Sequence, residues 1–364
     1  MNITKTTPWF LLLLCLILLT VYKFQIGLDY KRVNGSISPS SEQPQEESIM
    51  FGFKPKTLFV FGDSYADTGN TPATFAASWR FPYGITFPGK PAGRFTDGRV
   101  STDYLAKYLG LRTPIAYKWR RLVLPRKVVK NGINFAYGGA GVFETMFKVV
   151  PNASVQINFF EQLVRKKVYS QADLNSSVAL FSIVGNDYIT YDRLNGTSQG
   201  RPALIRRVVR HILLDVKKIR DLGVRKVWVA LSPPQKCFPS LITPKGCDSN
   251  DTSTNLHNSL LREGLRKLND ERNDKSFLVF DLYNAFVSVF KNKGVPGVSK
   301  FPEPLKACCV GLKRGNTCGD VGKNGEKLFS LCKDPKSFFF WDNVHITDQG
   351  WRSVFSLLLP DSQY

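Results

Sequence analysis

The chain has 364 residues, 43% hydrophobic, 13% aromatic and 22% charged, with a formal net charge of +21. That much apolar material excludes a globally disordered chain and can fill a sizeable core, in one large domain or two medium ones. The positive excess fits either a dispersed, solubilising surface charge or adhesion to an acidic polysaccharide; no nucleic-acid-binding motif accompanies it, so no nucleic-acid partner is expected.

At the N-terminus, Trp9 to Tyr22 is almost wholly apolar and is flanked by Lys5 and Lys23. It is shorter than the roughly 20 apolar residues of a spanning helix, and no small-x-small cleavage site follows it. Residues 1–28 are therefore expected to be either a cleaved signal peptide or an uncleaved signal anchor. Either one sends the rest of the chain across a membrane, to a secreted state or to an endomembrane-anchored one. Residues 29–53 carry Ser, Pro, Gln and Glu without apolar periodicity and read as a flexible linker. Residues 54–364 are expected to form one domain.

From Thr57 onward, short β-prone runs alternate with amphipathic stretches. Strands are expected at Thr57–Phe61, Gly132–Ala136, Val178–Val184, Lys226–Leu231 and Phe277–Phe280. A helix opens near Pro202, with Leu204, Ile205, Val208, Val209, Ile212, Leu213, Val216 and Ile219 at three- and four-residue spacing and Gly223 as its stop. A second runs from about Ser253 to Asn269, with Leu256, Leu260, Leu261, Leu265 and Leu268 along one side. No internal repeat occurs. The alternation implies a three-layer α/β/α domain around a central parallel sheet.

In doubly wound sheets, ligands bind beyond the carboxyl ends of the strands. Ser64, in Gly62-Asp63-Ser64, follows the first expected strand; Gly138-Gly139-Ala140-Gly141 follows the second; Gly185-Asn186-Asp187-Tyr188 follows the third. Much later, Trp341-Asp342-Asn343-Val344-His345 sets an acid and a base three residues apart. A serine hydroxyl is a weak nucleophile and needs an adjacent, oriented base. The chain holds only three histidines, and two of them, His211 and His257, lie in the expected helices and read as structural or solvated. Taken singly, each segment has a plainer reading: a turn serine, a left-handed glycine turn, an Asx turn, a surface histidine.

Cys15 lies in the apolar N-terminal run, which leaves an even set fitting an oxidising compartment. Cys237 and Cys247 close a short loop and are expected to pair. Cys308 and Cys309 are expected to pair with Cys318 and Cys332, in an order the sequence leaves open. No Cys or His grouping has zinc-ligand spacing, so no metal is expected. Glycosylation sequons stand at Asn34, Asn152, Asn175, Asn195 and Asn250.

The Gly-Asp-Ser block, the paired-glycine block, the Asn-Asp block and the Asp-x-x-His block, in this order, resemble the plant branch of the GDSL (SGNH-hydrolase) esterase/lipase family. The likeness covers roughly Lys54 to Pro360 and extends to Gly93-Arg94-Phe95-Thr96-Asp97-Gly98-Arg99-Val100 and Ala307-Cys308-Cys309. It implies a flavodoxin-like α/β fold and a serine esterase or lipase needing no cofactor. Carried over, Ser64 is the nucleophile, His345 the general base and Asp342 its orienting acid. The Ser64 N–H, the Gly139 N–H and the Asn186 side chain are the oxyanion donors. An ester of a lipid, an acylated sugar or the cell wall is the implied substrate. Transfer of the acyl group to a hydroxyl acceptor at the same site is one alternative, and a non-catalytic, basic wall-binding protein is another. A membrane is a partner only if the N-terminal segment stays uncleaved, and a monomer suffices.

Four departures from the family pattern stand out: Tyr65 for leucine, Tyr137 for a small residue, Val184 for the first glycine of the Asn-Asp block, and Ile346 for proline. The Gly93–Val100 segment is expected to shape the mouth of the cleft, and Ala307–Cys309 to staple the loop that presents Asp342 and His345. Trp79, Phe81, Tyr83, Phe87 and Trp119 read as packing residues, with an acyl or sugar pocket as the other use.

Overall fold

The computed structural model describes residues 53–121, 129–242, 246–247, 251–292 and 301–359. The expected signal segment, nearly all of the expected linker, and the sequons at Asn34 and Asn250 lie outside them.

Six parallel strands form the central sheet: β1 (Thr57–Gly62), β2 (Ile115–Ala116), β3 (Ile133–Asn134), β4 (Ser177–Ser182), β5 (Lys226–Ala230) and β6 (Phe277–Phe280). Their spatial order is β2-β3-β1-β4-β5-β6. β1 and β4 pair without a break from Thr57 opposite Ser177 to Gly62 opposite Ser182. Both faces of the sheet are covered, which is why its strands read as unbroken apolar runs.

Eight helices accompany the sheet among the described residues: α1 (Ser101–Tyr108), α2 (Ala153–Arg165), α3 (Gln171–Asn175), α4 (Asn186–Arg193), α5 (Arg201–Asp221), α6 (Thr252–Arg272), α7 (Leu282–Lys291) and α8 (Asp348–Leu358). Alternate strand residues point to opposite faces. Phe59, Phe61, Phe181, Val227 and Val229 meet Phe160 of α2, Val209 and Val216 of α5, and Leu261 and Leu265 of α6. Leu58, Val60, Leu180, Trp228 and Phe280 meet Leu105 of α1, Phe286 of α7 and Phe355 of α8 on the other face. The domain therefore has three layers, as expected.

The two long helices lie where the apolar spacing put them. α5 carries Pro202 in its first turn, and Gly223 just beyond its end takes φ +108°. α6 runs three residues past the expected end, to Arg272, where Asn273 adopts the left-handed conformation. β3 is shorter than expected. The Asn134 side chain captures the Ala136 N–H at 2.8 Å, yet the Phe135 and Tyr137 N–H groups still bond the Val60 and Gly62 carbonyls. The chain thus stays alongside β1 while its regular pairing ends at Asn134.

The sequence did not reveal the antiparallel hairpin of β7 (Cys309–Gly311) and β8 (Phe329–Leu331). Disulfides join Cys237 to Cys247, Cys308 to Cys332 and Cys309 to Cys318, so the order left open is a nested one. Of the described sequon asparagines, Asn175 and Asn195 are exposed, whereas Asn152 caps α2 by accepting from the Val155 N–H at 3.0 Å.

Candidate active site

Ser64 stands two residues beyond β1, on a turn that the backbone enforces. A Cβ at Gly62 would lie 2.6 Å from the Ser182 carbonyl, so only glycine lets β1 run this close to the end of β4. The Gln156 side chain of α2 bonds both the N–H and the carbonyl of Gly62, at 2.9 and 3.0 Å. The Asp63 carbonyl then accepts from the Ala66 and Asp67 N–H groups, folding the chain back. Ser64 is left partly exposed above the carboxyl end of β1.

His345 arrives from the far end of the chain. Its Nε2 lies 2.8 Å from Ser64 Oγ, and its Nδ1 lies 2.8 and 3.0 Å from the two carboxylate oxygens of Asp342. Asp342 is buried. Burial alone would raise its carboxyl, but His345 and the Val344 and His345 N–H groups outweigh that and hold it below its ordinary value. An ionised carboxylate only accepts hydrogen bonds. The proton of a neutral His345 therefore sits on Nδ1, and Nε2 faces the serine hydroxyl as an acceptor.

The loop carrying this pair is held from several sides. The Trp341 N–H bonds the His345 carbonyl at 2.7 Å, and Phe340 bridges Ile346. The Cys308 and Cys309 N–H groups bond the Phe340 and Trp341 carbonyls at 3.0 and 2.7 Å, so the disulfide-bearing segment does brace the loop. The Tyr65 hydroxyl donates to the Val344 carbonyl at 2.8 Å, and the Tyr83 hydroxyl to Asp342 Oδ2 at 2.7 Å.

The other expected site residues follow the neighbouring strands, β3 and β4. Gly139 takes φ +87°, and a Cβ there would press on the Phe147 ring at 2.8 Å. Asn186 opens α4 and donates one side-chain N–H to the Ala140 carbonyl at 2.9 Å. The three loops are tied together by buried carboxylates. Asp187 accepts from the Val142 and Phe143 N–H groups, each at 3.0 Å. Asp67 accepts from those of Gly69, Asn70, Thr71 and Gly138. Asp63 accepts from those of Tyr65 and Val184, and burial pushes its carboxyl up to about 6 despite these bonds.

The Gly93–Val100 segment reaches both His345 and the start of the last helix. The Phe95 ring lies 5.1 Å from that of His345 and so close to Gly138 that a Cβ there would collide with it at 2.3 Å. Asp97 accepts from the Asp348 N–H at 2.8 Å, and Asp348 accepts from the Arg99 N–H at 2.7 Å. Arg94 and Asp103 form a buried ion pair at 2.8 and 2.9 Å behind the segment. The segment thus grips the start of α8, three residues beyond His345.

The segment 58–358 matches the model of the GDSL-like lipase/acylhydrolase family. An Arabidopsis thaliana GDSL esterase/lipase is 71% identical over 367 residues, covering 100% of each chain. The chain belongs to the GDSL family. Acetylajmalan esterase 2 of Rauvolfia serpentina is 30% identical, over 84% of this chain and 90% of its own. Among solved structures, an acetylxylan esterase of Geobacillus stearothermophilus aligns with 65% of this chain and 80% of its own, at 15% identity and a TM-score of 0.35. The protein is a carboxylic ester hydrolase of the GDSL family.

The departures from the GDSL pattern are absorbed into buried packing. Tyr65 lies edge-on to Trp351 at 5.4 Å while its hydroxyl holds the Val344 carbonyl. Val184 is buried, with its N–H on Asp63 and its carbonyl on Gln235. Tyr137 and Ile346 are buried. The remaining histidines lie elsewhere: His257 is buried with Nδ1 2.6 Å from the Tyr188 hydroxyl, and the half-buried His211 packs edge-on to Phe143. Among the described residues, no group of His, Cys, Asp and Glu side chains could hold a metal ion.

Sequence reasoning missed Asp63, Asp67 and Tyr83. The two aspartates lie in the first block, one residue before and three after Ser64, and two acids placed just beyond an apolar strand were the available signal. Tyr83 is 259 residues from its partner, and no local spacing announces it.

Proposed function

We propose that the protein hydrolyses carboxylic esters with Ser64 as nucleophile, His345 as general base and Asp342 as the acid that orients it. The reading rests on the unbroken chain of hydrogen-bonding distances from Ser64 Oγ through His345 to Asp342. As Ser64 Oγ attacks the ester carbonyl carbon, His345 Nε2 takes the hydroxyl proton, and the imidazolium is held by the Asp342 carboxylate. The tetrahedral oxyanion is received by the Ser64 N–H, the Gly139 N–H and the second side-chain N–H of Asn186. His345 then gives its proton to the departing alcohol, leaving an acyl ester on Ser64. A water molecule, deprotonated by His345, releases the acid and restores the serine.

A fluorophosphonate ester tests the nucleophile directly, because it phosphonylates an activated serine. Peptide mass mapping should place the adduct on Ser64 and find none in Ser64→Ala; an adduct on another serine would remove Ser64 from the role. We also infer that the protein matures in an oxidising, secretory compartment, a reading supported by its three disulfides. Cell fractionation with thiol labelling should find it glycosylated in that route, with the six paired cysteines unlabelled; a cytosolic protein whose paired cysteines react would contradict this.

A further inference from the structure

We propose that Tyr83 is a positioning residue for the reaction, its hydroxyl fixing the Asp342 carboxylate and setting how strongly that carboxylate holds His345. This rests on the assignment of Ser64, His345 and Asp342 above. Asp342 Oδ1 accepts from the Val344 and His345 N–H groups, and both carboxylate oxygens face His345 Nδ1. All of those partners belong to the same short loop and move with it. Tyr83 is the side chain that ties the carboxylate to the rest of the protein, at 2.7 Å from Oδ2.

Tyr83 is itself well anchored. It is buried, packs edge-on to Trp341 at 5.8 Å, and sits in a small core with Cys308, Cys309, Cys318 and Phe329. Its phenol is kept protonated, first by burial and then by the neighbouring Asp342 charge, so it stays a donor. The other charged or titratable groups facing the pair are Arg80 and Asp320, which form an ion pair on the Tyr83 side, and Tyr65 on the Asp342 side.

A hydrogen bond from a neutral phenol stabilises the carboxylate's charge and draws it away from the imidazole. Without it, Asp342 pulls harder on the His345 proton, the imidazolium becomes more stable, and the base becomes available only at higher pH. Tyr83→Phe removes this one oxygen and keeps the ring against Trp341.

The test is the pH dependence of kcat and kcat/KM for p-nitrophenyl butyrate, with wild type, Tyr83→Phe, Asp342→Ala, the double variant and Ser64→Ala. We expect kcat of Tyr83→Phe to fall about tenfold, the scale of one hydrogen bond to a charged group, because the freed carboxylate no longer holds His345 in line with Ser64 and this loss outweighs the stronger base, with KM unchanged. The acid limb of kcat/KM should move upward by about half a pH unit. In the Asp342→Ala background the same change should have no further effect. An unmoved limb, or an equal loss of rate with and without Asp342, would overturn the proposal while leaving the serine mechanism intact. Wild-type activity that survives Ser64→Ala would overturn both.

Discussion

Asn186 gives one side-chain N–H to the Ala140 carbonyl, which fixes the amide and aims the other N–H away from it. If that second donor meets the oxyanion, Asn186→Ala should lower kcat by about 100- to 1000-fold, with a melting temperature close to that of wild type. Steady-state kinetics on p-nitrophenyl acetate checks this, and an unchanged kcat would take Asn186 out of the site. Asp63 carries a different consequence. Its carboxyl rises from 3.8 to about 6, chiefly because it is buried. Between those values the folded state binds the proton more tightly than the unfolded one, so Asp63 favours folding at low pH and loses that contribution as pH rises through about 6. The gap corresponds to about 3 kcal/mol. Urea denaturation of wild type and Asp63→Asn should therefore show wild type losing ground to the variant from pH 4 to pH 7, and a constant difference would contradict the assignment. Ser64, Asp342 and His345 were legible because each sits in a short block with a recognisable neighbour pattern. Tyr83 and Phe95 were not, since their partners are fixed only when the two ends of the chain meet.

At the scale of elements, the loop that leads into α1 shows how a local motif serves a distant residue. Gly93–Val100 grips the first turn of α8 through Asp97 and Arg99, and its own base is the buried Arg94–Asp103 pair. Burial would raise the Asp103 carboxyl, but Arg94 holds it below its ordinary value. Removing one partner strands a buried charge, so Arg94→Ala should destabilise the fold by about 3–5 kcal/mol, measured by chemical denaturation; a change below about 1 kcal/mol would mean the site relaxes or admits water. α5 and α6 were legible because each repeats its apolar spacing over 21 residues. α4 and α7, with eight and ten residues, are too short for such a pattern. β7 and β8 have three residues each and depend on the surrounding disulfides and contacts, not on alternation.

At the scale of the molecule, the three-layer core carries Ser64, Gly139 and Asn186 on neighbouring strand ends, while the acid–base loop is attached from outside it. That attachment runs through the small core around Tyr83, Trp341 and the nested disulfides. Replacing Cys309 and Cys318 together by serine opens a loop with a sequence separation of 9. The change should cost about 3 kcal/mol by chain entropy and should lower kcat as well, since the Cys309 N–H holds the Trp341 carbonyl. Thermal denaturation paired with kinetics would separate the two effects; a lower stability with full activity in the folded protein would show that the loop does not need its brace. The parallel architecture was legible from the βαβ alternation. The bracing by Ala307–Cys309 was expected from the resemblance; the hydrogen bonds from Tyr65 and Tyr83 were not, because they join segments 279 and 259 residues apart.

The most direct test of the serine mechanism is hydrolysis of p-nitrophenyl acetate by the disulfide-intact protein beside Ser64→Ala and His345→Ala. The account predicts clear turnover by the wild type and a loss of at least about a thousandfold in each variant, with both still folded. Turnover that persists in either variant, or a folded wild type inactive on every ester from acetate to palmitate, would contradict it.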